Sequence, residues 1–299
     1  MIRRELTRRF RALLSGSPTG VPEWTPLVEA GEDQGLFGPT DAVWIVHADL
    51  ATMIGGIRAL LMQALHPGSL AGVVQHSRYE SDVVGRLNGT IRWLTISTFG
   101  SASAIEQEAA RVRALHEAVR GSYVTTDGET RQYRASDADL LLWVHIAFTD
   151  SFLTAHQHYG LWQVDADAYV RGWAKAVVPL GLAHAPDAAG DLQRAIADFD
   201  AELRVDDTTR RVVAFIRKVP FPRGARLVYR LLFAAAVETL PVEYRRRLGL
   251  RAAPAPLVRC TMHAVLGVMR WIVGQRSPME VAALQRWERL APGSVRQAG

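Results

Sequence analysis

The chain has one cysteine, Cys260, and only two lysines, Lys175 and Lys218. A lone cysteine excludes a disulfide framework and a cysteine-type structural zinc site. Cys260 falls in an apolar stripe with Leu257, Val265 and Met269 and is expected to be a small core residue. No apolar run reaches the roughly 20 residues of a membrane-spanning helix. There is no G-x-G-x-x-G, no Walker A loop and no G-x-S-x-G elbow, which sets aside dinucleotide-binding, P-loop and α/β-hydrolase chemistry. The absence of H-E-x-x-H argues against a zincin, and that of Glu-x-x-His against a ferritin-like di-iron bundle. C-x-x-C-H is missing too, so no haem is attached covalently in the c-type manner.

What is present is globular composition: 299 residues, 48% hydrophobic, 22% charged and a net charge of +5 that arginine supplies. The arginines are scattered and accompanied by acids, with no RRM, zinc-finger or helix-turn-helix signature, so no nucleic-acid partner is expected. Residues 1–20 have arginines but no apolar h-region or cleavage site, which implies a cytoplasmic protein. They form a basic amphipathic helix, with Ile2, Leu6, Phe10 and Leu13 on one face and Arg3, Arg4, Arg8, Arg9 and Arg11 around the other. Packing against its own domain is the preferred role; peripheral contact with anionic lipid through residues 2–14 is the sharper alternative.

Helical periodicity dominates and predicts one all-α domain over 1–299. Met53, Ile54, Ile57, Leu60, Leu61 and Leu65 mark one helix, stopped by His66-Pro67-Gly68. Another runs from about Asp82 to Phe99. A third is predicted from a Ser103/Glu106 capping box to Gly121, with Ile105, Ala109, Val112, Leu115 and Val119 as its stripe. Asp127-Gly128 suggests a small hairpin within 123–134. Ser136 and Asp139 then open a helix whose core face is Leu141, Val144, Phe148, Phe152 and Ala155. Later helices are predicted at 165–180, 188–204, 207–218, 224–240, 256–274 and 278–291, the last with Ser277 as cap and Pro278 in the first turn. No linker or repeat interrupts them.

Nine histidines remain, several in improbable places. His116 lies in an apolar stripe, where a lone histidine is more often a satisfied core residue than a ligand, and Arg120 follows four residues later on the predicted helix. His145, beside Val144 and Phe148, is a second inward-facing imidazole. Arg86 and Thr90 repeat the four-residue spacing on the preceding helix; on spacing alone, Arg86 reads as a buried arginine paired with an acid. His156 and His158 close their helix and are expected to be partly exposed, His66 caps a helix end, and His76 lies in a loop.

The run Phe37-Gly38-Pro39, Trp44, Val46-His47-Ala48-Asp49 and Leu60-Leu61-Met62-Gln63-Ala64-Leu65-His66-Pro67 resembles a family of bacterial proteins. The same family contains the latex-clearing rubber oxygenase and the fungal mpaB-type oxygenase. The resemblance continues through Gln75-His76-Ser77, Gly85-Arg86-Leu87 with Thr90, Val112 to Gly121 and Leu140 to His145, and more weakly to about residue 250. It implies a b-type haem held by one histidine and O₂-dependent cleavage of a carbon–carbon double bond. Carried over, the iron ligand falls on His116, its helix-mate arginine on Arg120, and the arginine and threonine near the haem on Arg86 and Thr90; His145 is a further cofactor-side candidate. Gly89 stands where the rubber oxygenases have a lysine able to approach iron. Those enzymes are secreted to reach polymer, so the expected substrate here is a small hydrophobic lipid, terpenoid or polyketide-like molecule. Three alternatives stay open: a haem protein that binds or senses without turnover, a non-haem metalloenzyme using His116, His145 and Asp150, and a metal-free structural or lipid-binding protein.

Overall fold

The computed structural model describes residues 2–15, 17–76, 83–274 and 276–290, with side chains except those of 2–4, 9, 13–15, 83, 84 and 86. The protein is 69% helical, with one two-stranded antiparallel sheet among the described residues. The helices are α1 (Ile2–Ser15), α2 (Thr25–Glu29), α3 (Ala42–Ala48), α4 (Thr52–Gln63), α5 (Pro67–His76), α6 (Val83–Phe99) and α7 (Ala102–Ala118). The hairpin β1 (Arg120–Val124) and β2 (Thr130–Arg134) follows. Then come α8 (Ala138–Tyr159), α9 (Ala166–Val177), α10 (Ala189–Asp198), α11 (Asp207–Arg217), α12 (Arg223–Thr239), α13 (Val242–Arg247), α14 (Ala255–Val273) and α15 (Pro278–Leu290). Five of the six later helices lie where the periodicity predicts them; the one expected at 188–204 ends at Asp198. The short α2, α3 and α13 are too brief to show a period, and α5 is not predicted because His66-Pro67-Gly68 reads only as a helix stop, whereas Pro67 opens α5.

α4 and α8 form the centre. Ile54, Leu61 and Met62 from the first, Leu65 just beyond its end, and Trp143, Ile146 and Phe152 from the second are buried in the main core. Gly55 lets the two backbones approach: a Cβ there would lie 2.6 Å from Phe152 Cδ1 and 3.0 Å from the Ser151 carbonyl oxygen. By length and composition alone α8 is apolar enough to cross a membrane, although the sequence shows no unbroken apolar run of that length. In the fold it is enclosed by α3, α4, α5, α9, α10, α12 and α14. Buried polar side chains along it, among them His145, Asp150 and His156, explain the interrupted run.

Local signals correct several expectations. α7 is capped by Ser101, whose hydroxyl accepts from Ala104 N, not by Ser103. Asp137 stands at the N-cap of α8, not Ser136. Ser277 accepts from Glu280 N at the start of α15, as its spacing predicts. Cys260 is exposed, not a core residue, because α14 turns the Val258, Met262, Leu266 and Met269 stripe inward. α1 packs on α14: the Thr7 hydroxyl donates to the Ile272 carbonyl (2.6 Å) and Arg11 to the Val273 carbonyl (2.9 Å). Phe10 reaches the main core while Leu6 is exposed; the side chains of Ile2, Arg3, Arg4, Arg9 and Leu13 lie outside the described residues.

Candidate active site

α6 and α7 are joined by Gly100 and Ser101 alone, so α7 runs back along α6. Arg92 Nε lies 2.8 Å from Glu108 Oε2, which sets the register. Equal steps from that pair bring Thr90 level with Ala110, and Arg86 level with Ala114, half a turn from His116. The hairpin then pairs Arg120 with Arg134, and Ala135 N donates to the Val119 carbonyl, so α8 starts where α7 ends. The N-termini of α6 and α8 and the C-terminus of α7 therefore share one pole. α5 is tied to the same pole: His76 Nε2 lies 2.8 Å from the Arg120 carbonyl, Gln75 donates to the Ser122 carbonyl (2.9 Å), and Tyr133 donates to Gln75 Oε1 (3.1 Å). His76 is thus the last residue of a helix, not part of a loop.

His116 projects from the arc of α7 between Ile105 and Ala109, both buried further up the helix. It is half-buried, and its ring makes no hydrogen bond to a described residue. Burial lowers its pKa, so at neutral pH it is an uncharged imidazole with its lone pair uncommitted. Leu115, predicted on the buried stripe, is 54% exposed, because only the first half of α7 packs deeply.

Arg120 does not share a helical face with His116. The helix ends at Ala118, Val119 is extended, and Arg120 opens β1. The hairpin fixes this break: at Gly121 a Cβ would lie 2.9 Å from Tyr133 Cε1. The exposed Arg120 guanidinium donates from Nε to the Glu117 carbonyl (3.1 Å), satisfying a helix-end acceptor.

On α6, Leu87, Ile91 and Leu94 form a half-buried apolar ridge leading back from Thr98, with Thr90 at its edge. Thr95 and Thr98 both donate to carbonyls four residues back, at 2.7 Å; the Thr90 hydroxyl makes no hydrogen bond to a described residue. The Arg86 side chain lies outside the described residues, so its pairing with an acid, expected from spacing, is not placed.

His145 is two turns into α8 and 4% exposed. Its Nδ1 is buried without a partner, and Nε2 is 3.4 Å from the Thr149 hydroxyl. Burial lowers its pKa to about 4, so it too is neutral. Asp150 does not join the two histidines. Its carboxylate is committed to Arg58 (2.6 Å) and to Gln193 (2.7 Å) in the core, and the described residues hold no metal-capable cluster of three or more His, Cys, Asp or Glu. The three-residue non-haem set is not assembled.

His47 belongs to the run that carries the resemblance, but the sequence assigns it no role. Its Nδ1 lies 2.7 Å from the Thr98 hydroxyl and its Nε2 3.0 Å from the Tyr169 hydroxyl. Because Thr98 donates to the Leu94 carbonyl, it accepts from His47 Nδ1–H, leaving Nε2 to accept from Tyr169. Burial lowers the pKa of His47 to about 3, which keeps this donor chain in one direction. His47 also packs edge-on against Phe152 (5.3 Å between centroids), so one ring joins α3 to both α6 and α8. Glu108, buried between Arg92 and Arg111, was legible as an acid on an apolar arc. The buried, unpartnered Asn88 Oδ1 has no such signal. His156 is buried, its Nε2 2.8 Å from the Trp162 carbonyl, rather than partly exposed as expected; His66 Nδ1 caps α5 by accepting from Gly68 N (3.1 Å) and Ser69 N (3.3 Å), as expected.

Compared with known proteins, the chain matches one family model over residues 44–271, more than half its length: ER-bound oxygenase mpaB/B'/rubber oxygenase, catalytic domain. No curated protein and no solved structure matches it.

Proposed function

The chain belongs to the mpaB/rubber oxygenase catalytic-domain family and is an oxygenase, and from that premise we propose that it uses haem b to oxidise a small hydrophobic substrate. The observation that carries this reading is His116: a neutral imidazole with no hydrogen-bond partner among the described residues, on an inward arc at the end of a helix. Such a group is suited to ligate iron. Two further features fit a flat apolar cofactor: the half-buried ridge of Leu87, Ile91 and Leu94, and the orphaned Nδ1 of His145. When bound, haem supplies an iron at which O₂ is activated.

The chain's own residues do the rest. His116 offers one nitrogen lone pair. The exposed Arg120, at the open end of the pole, suits the haem carboxylates, and Arg86 is placed on the α6 turn level with the end of α7. The Thr90 hydroxyl, bonded to no described residue, would donate toward a bound ligand, and on α8 the buried, neutral His145 is a second imidazole able to hold or accept a proton. Gly89 presents no amine there, so no lysine competes for that space. The apolar lining favours an alkene-bearing lipid, terpenoid or polyketide-like substrate. Adding both atoms of O₂ across its double bond gives two carbonyl products and balances without a further reductant.

Thr90→Val tests the reading, because it keeps shape and removes the hydroxyl. The expected result is a changed haem spectrum and about a tenfold loss in O₂ affinity or turnover, with little change in melting temperature. A variant that melts lower but keeps wild-type spectra and O₂ binding would reduce Thr90 to a structural residue.

A further inference from the structure

Two long stretches of the chain carry no acid. Residues 208–237 and 244–279 hold seven arginines or lysines each and no aspartate or glutamate. The fold brings parts of both to one place. Arg259 Nη2 lies 2.8 Å from Glu238 Oε1, where the end of α12 meets the start of α14, so the two helices run antiparallel and Leu227 falls level with Arg270. α1 lies across the same end of α14 through Thr7 and Arg11. Leu6, Leu227, Val268 and Trp271, exposed by 43%, 65%, 57% and 63%, thus sit at one end of three adjoining helices. Arg223, Arg226 and Arg230 are exposed among them and form no ion pair with a described residue.

We propose that this end of α1, α12 and α14 is a docking surface for a bilayer containing anionic lipid. Arginines lay apolar stems on acyl chains and direct their charge to phosphate, and tryptophan favours the boundary between the two. A second copy of the chain fits worse, since a symmetric contact would press the same arginines together with Glu5, already paired with Arg8, as the one acid beside Leu6 to meet them. The inference is independent of the cofactor and concerns α12 and α14 as well as the N-terminal helix.

The test is co-sedimentation of the full chain with vesicles of phosphatidylcholine alone, or with about 30% phosphatidylglycerol. The protein should pellet with the anionic vesicles, less so as salt rises. The triple change Arg223→Glu, Arg226→Glu, Arg230→Glu should weaken partitioning on the order of a hundredfold. Leu227→Ser with Val268→Ser should weaken it at every salt concentration. Circular dichroism confirms that the variants remain folded. Three results would overturn the proposal: no pelleting with anionic vesicles, equal pelleting of the triple variant, or a dimer by light scattering that Leu227→Ser dissolves while vesicles are ignored.

Discussion

His116→Ala should abolish haem retention while leaving the protein folded. Losing a hydrogen-bond partner one step removed from a metal already costs about 10- to 100-fold in affinity, so losing the ligand itself should cost more than ~100-fold. The side chain is half-buried and bonded to no described residue, so stability should change by no more than about 1 kcal/mol. His145→Ala empties a buried position and should lower the melting temperature more, yet leave a Soret band in place. Haem content per chain and thermal melts on the same preparations decide the matter. If His145→Ala removes the Soret band and His116→Ala keeps it, the ligand is on α8 and the assignment to α7 is wrong.

The largest stability effect should come from the centre of the fold. Arg58 and Asp150 are 2% and 6% exposed and pair at 2.6 Å across α4 and α8. Arg58→Met strands the carboxylate, leaving Gln193 as its neutral partner, and should cost about 3–5 kcal/mol in denaturant unfolding. Adding Asp150→Asn removes the stranded charge and should recover a substantial part of that loss. Equal losses in the single and double variants would show that Arg58 matters for its packing, its bonds to Ser151 and Thr239, or both, and not for the ion pair.

The architecture was legible in the sequence because long helices announce their period. The stripe of Ile54, Ile57, Leu61 and Leu65 is buried as read, and Asp127-Gly128 does turn a hairpin. Element ends were less legible, since Ser101 or Ser103 and Ser136 or Asp137 offer nearly equivalent caps and backbone geometry chooses between them. The Arg120 error has the same origin: nothing local distinguishes one more turn of helix from the first residue of a strand whose partner is 14 residues away. His116 and Thr90 could be named only by resemblance. Their spacing does not show that α7 packs deeply only in its first half, leaving His116 without a bond to any described residue where Glu108 is clasped by two arginines. The role of His47 was invisible for the opposite reason: it depends on Thr98 and Tyr169, 51 and 122 residues away.

The central claim, that His116 holds a b-type haem in this oxygenase, is tested most directly by the ultraviolet–visible spectrum of the full chain produced with haem precursor, quantified against protein. The account predicts a Soret band, one extractable haem b per chain, and loss of both in His116→Ala. A folded, helical protein without a Soret band, whether metal-free or carrying iron outside a porphyrin, would contradict it.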